Sequence, residues 1–201
     1  MLFEVDRALL MTQFPAEKIV RASREALAGI VERTEDLRFL CEVGLPQGLF
    51  QIAPPIAADQ GAQPALLLDL GEDIETAELE FGELVLIGGI QQWYLFLHLG
   101  DGTVYSYSED DAEFHPVNGD LSSLTRVLYL LRREAPRTVR LPGQPFTGPS
   151  NAEYTRAADA IRAEMETRDP ISFGDRSLWL PYFGSFVDGL YPTYSTSLSE
   201  S

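Results

Sequence analysis

Trp93-Tyr94-Leu95-Phe96-Leu97-His98-Leu99, then Gly100-Asp101-Gly102, then Thr103-Val104-Tyr105-Ser106-Tyr107: this stretch decides the fold. In an extended strand, successive side chains point to opposite faces. Trp93, Leu95, Leu97 and Leu99 therefore share one face, and Tyr94, Phe96 and His98 share the other. Both faces are apolar and both need cover, so this strand is expected at the centre of a sheet. The Asp101-Gly102 pair is a hairpin signal, and residues 103–107 are expected to return beside the first strand.

Upstream of the hairpin, Leu84-Val85-Leu86-Ile87 is a continuous apolar run that Gly88-Gly89 is expected to end. Glu78-Leu79-Glu80-Phe81 alternates with period two, and Ala65–Asp69 and Leu49–Ile52 read as further short strands. Residues 53–64, rich in Pro, Ala and Gln, read as a loop. Downstream, Phe114–Val117 reads as an edge strand, because Pro116 lacks the N–H of a central one.

Helical patterns flank the strands. Ile19, Val20, Ala26, Leu27, Ile30 and Val31 recur at spacings of three and four, so a helix is expected over 16–33, with Pro15 at its start. A shorter one is expected over 34–43, with Thr34 as N-cap and Glu35 and Asp36 at the positive end of its dipole. Gly44 and Pro46 stop it. Leu121, Leu124, Leu128 and Leu131 stripe a helix capped by Asp120 or Ser122. After a Pro- and Gly-rich linker over 141–150 come an amphipathic helix near 152–167, broken by Asp169-Pro170, and a last helix near 175–188 anchored by Trp179, Phe183 and Phe186. Helices, then a meander of strands, then helices predict an α+β fold: N-terminal helices, a largely antiparallel central sheet of about five or six strands, and C-terminal helices packed on it. One domain is expected over 1–190, with a helical extension from about 151 and a disordered tail over 191–201.

The net charge is −16, and it is unevenly placed. Between Arg38 and Arg126 there is no Lys or Arg, yet this interval holds 15 of the 31 acids; the rest of the chain carries the other 16 with all 15 bases. Such a field opposes binding to a phosphate backbone or an anionic membrane and attracts cationic partners. Nucleic acid and membranes are thus not expected partners. Neither a signal segment nor an apolar run of membrane length is apparent, so a cytoplasmic protein is expected. Cys41, the single cysteine, lies in an apolar stretch and reads as a small buried hydrophobe.

Catalytic chemistry is poorly represented. A nucleophile elbow, a phosphate-binding loop and a dinucleotide fingerprint are all missing. His98 reads as a core histidine, and His115, near a sheet edge, completes no zinc set of usual spacing with Cys41. No catalytic residue, metal ligand or cofactor is therefore assigned. Asp69-Leu70-Gly71-Glu72-Asp73 lacks the ligand order of an EF-hand and reads as solvated loop acids.

The order of short motifs resembles the SUKH superfamily of bacterial immunity proteins, and within it the fourth immunity group. The residues that carry the resemblance are Phe39-Leu40, Gly44-Leu45-Pro46 and Gly48-Leu49-Phe50, then Leu86-Ile87-Gly88, then Gly100–Tyr105. Val117-Asn118 before Leu121, and Asp169-Pro170, Trp179 and Gly189, complete the pattern; Ile56–Leu84 is poorly matched. The resemblance implies an α+β fold, no enzymatic activity, and protection of the cell from polymorphic toxins, many of which attack nucleic acids. It assigns the glycines and Pro46 to turns, not to binding.

On this reading the partner is a cognate protein toxin, held through an acidic surface that imitates the charge of its substrate. Glu72, Asp73, Glu75, Glu78, Glu80, Glu109, Asp110, Asp111 and Glu113 are the candidate contacts, with Tyr105 and Tyr107 as aromatic anchors. An intracellular scaffold or regulatory module on the same fold is the alternative. A carboxylate- or metal-dependent hydrolase using Asp69 or Asp73 is a third reading. Oligomeric state is not legible.

Overall fold

A computed structural model describes residues 1–52, 84–136 and 149–188. The expected strands at 65–69 and 78–81, the loop at 53–64, most of the linker and the tail lie outside the described residues, as does Gly189. The elements are helix α1 (Arg7–Met11), strand β1 (Ile19–Val20), helices α2 (Arg24–Leu27) and α3 (Thr34–Arg38), strands β2 (Leu45–Pro46), β3 (Gln51–Ile52), β4 (Leu84–Ile90), β5 (Trp93–His98), β6 (Val104–Tyr107) and β7 (Phe114–Asn118), and helices α4 (Leu121–Glu134), α5 (Asn151–Glu166) and α6 (Trp179–Val187). The fold is α+β, with a five-stranded antiparallel sheet in the order β3-β4-β5-β6-β7 and a two-stranded β1-β2 pair.

The Trp93–Leu99 strand is central, as its two apolar faces require. Leu95 and Leu97 lie fully buried in the main core, which continues into the helices. Phe96 lies in a second cluster on the opposite face, with Leu84, Tyr107 and Phe114. Phe114 closes edge-to-face on Phe96, with ring centroids 5.3 Å apart. Among the described strands β7 lies at one end of the sheet, and Pro116 sits opposite Tyr105 there.

Gly88-Gly89 does not end its strand. β4 continues to Ile90 through a register shift between Leu86 and Gly88. Glycine is needed because a Cβ on Gly88 would stand 2.2 Å from the Gln51 carbonyl oxygen and 2.5 Å from the Phe50 ring. β3 and the buried Phe50 occupy that space. The glycine spent here brings two backbones together.

The helix expected over 16–33 does not form. A 3-10 turn over Ala16–Lys18 leads into β1, which pairs Ile19 with Pro46 and Val20 with Leu45. Only Arg24–Leu27 is α-helical, capped by Ser23, whose Oγ accepts from the Ala26 N–H at 3.1 Å. Gly29, at φ 75°, follows in a left-handed conformation. The three-and-four spacing recorded burial, not helix: Ile19, Leu27 and Val31 are all buried, but from three different local structures.

The 34–43 segment is helical, α3 passing into a π-helical turn over Phe39–Val43. Arg33, not Thr34, is its N-cap, and no side chain caps it. Gly44 ends it at φ 85°, where a Cβ would meet the Val20 carbonyl oxygen at 2.5 Å.

α4 is the central helix, buried on nearly every side from Leu121 to Leu131, with Leu121, Leu124, Leu128 and Leu131 all in the core. Asp120 is the cap: its carboxylate accepts from the Ser123 N–H at 2.8 Å, the Ser122 hydroxyl at 2.6 Å and the Leu2 N–H at 2.6 Å. The N-terminal residues are thereby tied to the start of α4. α5 packs on α4 through Tyr154, Ala157, Ala158, Ile161 and Met165, and its Glu164 pairs with Arg126 and Arg133. The last helix starts at Trp179, later than expected, because residues 169–178 are spent in turns. Trp179, Phe183 and Phe186 are its buried anchors.

Candidate functional site

The hairpin between β6 and β7 turns over Ser108–Glu113. The Ala112 and Asp111 N–H groups both donate to the Ser108 carbonyl oxygen, at 2.9 and 3.3 Å. Ala112 takes φ 54°, a left-handed value that costs a non-glycine residue about 1 kcal/mol or more. The turn throws Glu109, Asp110, Asp111 and Glu113 outward, all exposed. Opposite it runs the α5–α6 connection, where Arg176 is also left-handed, at φ 66°.

Between the two lies a groove of about 530 Å³. Trp93, Ser106, Ser108 and His115 line its floor, on the helix-facing side of the sheet. Asp110, Asp111 and Glu113 form one wall, and Arg176, Leu178, Leu180 and Pro181 the other. Leu180 is 36% exposed, an unusual value among the large apolar side chains described. Acid and apolar surface thus meet in one concavity.

Its polar side chains lie close together. The His115 Nε2 lies 2.5 Å from an Asp111 carboxylate oxygen and 3.8 Å from Glu113. Arg176, which also lines the groove, donates to the same Glu113 oxygen at 2.6 Å. Arg176 is 68% exposed and Glu113 57%, so this ion pair is solvent-screened and contributes little to stability. The donor atoms of Asp111, Glu113 and His115 all lie within 4.8 Å of one another.

The residues singled out by sequence separate here. Asp110, Asp111 and Glu113 share the groove, and Glu109 is exposed beside it. Tyr105 and Tyr107 project from the other face of the sheet, into the Phe96 cluster. Tyr107 is 4% exposed and serves as packing. Burial, and then the Asp101 carboxylate, push the Tyr105 hydroxyl above its ordinary pKa. Glu72, Asp73, Glu75, Glu78 and Glu80, like Asp69, lie outside the described residues.

Trp93, Leu180, Pro181 and Arg176 are not legible as site residues, because they come from a strand end and, about 80 residues further along the chain, from a connection and the first turn of α6. The Asp111-x-Glu113-x-His115 spacing stands in the sequence, but Asp111 and Glu113 lie in a turn, and only the fold brings both carboxylates to His115. His98 is not a core histidine: it sits half-buried at the end of β5, its Nδ1 2.7 Å from Asp101. Burial alone would raise the Asp101 pKa, but hydrogen bonds from the Thr103 N–H and His98 outweigh it and hold the carboxyl below its ordinary value. Cys41 is only partly buried, packed against the core, and burial raises its thiol pKa. A raised value is the opposite of what a nucleophile requires.

No described helix is long and apolar enough to cross a membrane. The family model of the SUKH-4 immunity protein matches residues 5–184. Comparison with curated proteins and with solved structures found no match.

Proposed function

The chain belongs to the SUKH-4 immunity protein family, and from that membership we propose that it protects by holding a cognate, positively charged toxin in the groove between the β6–β7 hairpin and the start of α6. The family gives it an immunity function and a toxin as partner, and its members are generally non-enzymatic. The groove is the observation that carries the finer reading: Asp110, Asp111 and Glu113 stand against Trp93, Leu180 and Pro181 in one concavity. A nuclease presents cations to its phosphate substrate, and an acidic groove competes for that same surface.

The two kinds of wall have separate roles. Carboxylates act at a distance and raise the rate of encounter, to as much as 10⁸–10⁹ M⁻¹s⁻¹ at low salt. Apolar surface acts on contact and sets the lifetime, with a buried aromatic as its usual centre. Trp93, half-buried in the free chain, fits that role. Glu72, Asp73, Glu75, Glu78 and Glu80, outside the described residues, add to the net negative charge of the chain.

The test is the kinetics of binding to the toxin encoded by a neighbouring gene. Neutralising Asp110, Asp111 and Glu113 together is expected to slow association about tenfold or more at low salt and to flatten its salt dependence. Trp93→Ala is expected to leave association alone and to speed dissociation about 30-fold, the equivalent of about 2 kcal/mol. Association unchanged by the triple neutralisation removes the groove from the account. Several unrelated partners and no toxin gene would favour the scaffold reading.

A further inference from the structure

We propose that Asp111, Glu113 and His115 form a binding site for a divalent transition-metal ion, with zinc as the best-fitting occupant. The cluster is more than exposed acid: it is built around an imidazole whose side chain is only 13% exposed and whose Nε2 faces both carboxylates. One nitrogen and two oxygen donors form a set that zinc accepts, usually with an open fourth position. Magnesium and calcium prefer oxygen alone.

The geometry is close to a site and needs only side-chain movement. Ligand atoms in a tetrahedral zinc site stand about 3.3 Å apart, given bonds of about 2.0–2.1 Å. Here the three donors span 2.5 Å to at most 4.8 Å. Asp111 and Glu113 are 54% and 57% exposed, so their rotamers adjust at little cost, while His115 stays fixed on β7. The missing fourth ligand has room, because the cluster opens into the 530 Å³ groove. Arg176 is the ion's competitor, sharing the Glu113 oxygen, and its exposure makes it easy to displace.

The site stands independently of the toxin, and its test uses the full chain alone. Titration with Zn²⁺, followed by calorimetry, is expected to show saturable one-to-one binding in the micromolar range, with none for Mg²⁺. Asp111→Asn and His115→Gln are each expected to weaken it by at least about tenfold. Arg176→Gln is expected to tighten it. His98→Gln is expected to leave it unchanged. The chain has two histidines, so NMR gives a direct readout: Zn²⁺ is expected to move the His115 ring signals and not those of His98. Because Asp111 is on the surface, Asp111→Asn reads the site even if a His115 variant fails to fold. An absence of saturable Zn²⁺ binding overturns the proposal. So does binding that Asp111→Asn leaves intact, or binding that moves only His98.

Discussion

Replacing Asp169 with alanine is expected to destabilise the protein by about 3–5 kcal/mol, because it leaves several buried donors without their acceptor at about 1–3 kcal/mol each. Asp169 is 1% exposed. Its carboxylate accepts from the Ser123 hydroxyl, the Ser172 hydroxyl at 2.7 Å, the Gly119 N–H at 3.0 Å and the Ile171 N–H at 3.2 Å, with the Asn118 amide at 3.5 Å. Asn118 in turn accepts from the Trp179 indole N–H at 3.1 Å. One carboxylate thus joins β7, the start of α4, the α5–α6 connection and the root of α6. Alanine leaves several donors buried without an acceptor, each costing about 1–3 kcal/mol, though local shifts recover part of this. Asp169→Asn keeps the shape and one acceptor oxygen, so its cost is expected to be smaller, about 1–3 kcal/mol. Urea unfolding followed by tryptophan fluorescence reads both. With a slope of about 2 kcal/mol per molar, the alanine midpoint falls by about 1.5–2.5 M. Total stability is about 5–15 kcal/mol for a typical domain, and where alanine abolishes folding, the asparagine variant carries the measurement. A midpoint shift under about 0.5 M for alanine, equivalent to about 1 kcal/mol, would refute the account of this carboxylate as the pin of the C-terminal half.

Other outcomes follow from single positions. Asp36 is fully buried, its carboxylate oxygens lack hydrogen-bond partners, and Arg33 Nε lies 3.1 Å away without hydrogen-bond alignment. Burial, only partly offset by Arg33, raises its pKa. The folded state therefore holds this proton more tightly than the unfolded one, and the stabilising contribution present below about pH 4 is lost as pH rises through the raised value. Asp36→Asn is expected to remove that fall and to leave neutral-pH stability equal or higher, checked by urea midpoints across pH; a large loss at neutral pH would show that the Arg33 pair outweighs burial. Gly88→Ala is expected to cost about 3 kcal/mol or more by driving β3 and Phe50 off β4, read by thermal unfolding, and a near-neutral effect would mean that β3 is dispensable.

Much of the fold was legible because it is written locally. The Trp93–Leu99 alternation, the Asp101-Gly102 turn and the leucine stripe of α4 each lie in a window of a few residues, and period alone gives the face that is buried. The 16–33 segment was not legible for the complementary reason. Its apolar spacing fits a helix, but the backbone of Ile19 and Val20 finds its partner in Leu45 and Pro46, and pairing across the chain overrides local preference. Gly88 misled in the same way, since a glycine that ends a strand and one that admits a neighbouring backbone look alike until the neighbour is placed.

By itself, the sequence determined the class of fold, the central hairpin, the concentration of acid between Arg38 and Arg126, and the resemblance that the family match bears out. Only the tertiary structure decided that Trp93, His115 and Leu180 line one groove, that Tyr107 is packing, and that Asp169 fastens Asn118 and Ser123 to the α5–α6 connection while Asn118 holds Trp179 of α6. Periodicity fixes which side of an element is buried. It says nothing of which elements meet, because that choice is made by burial summed over the whole chain.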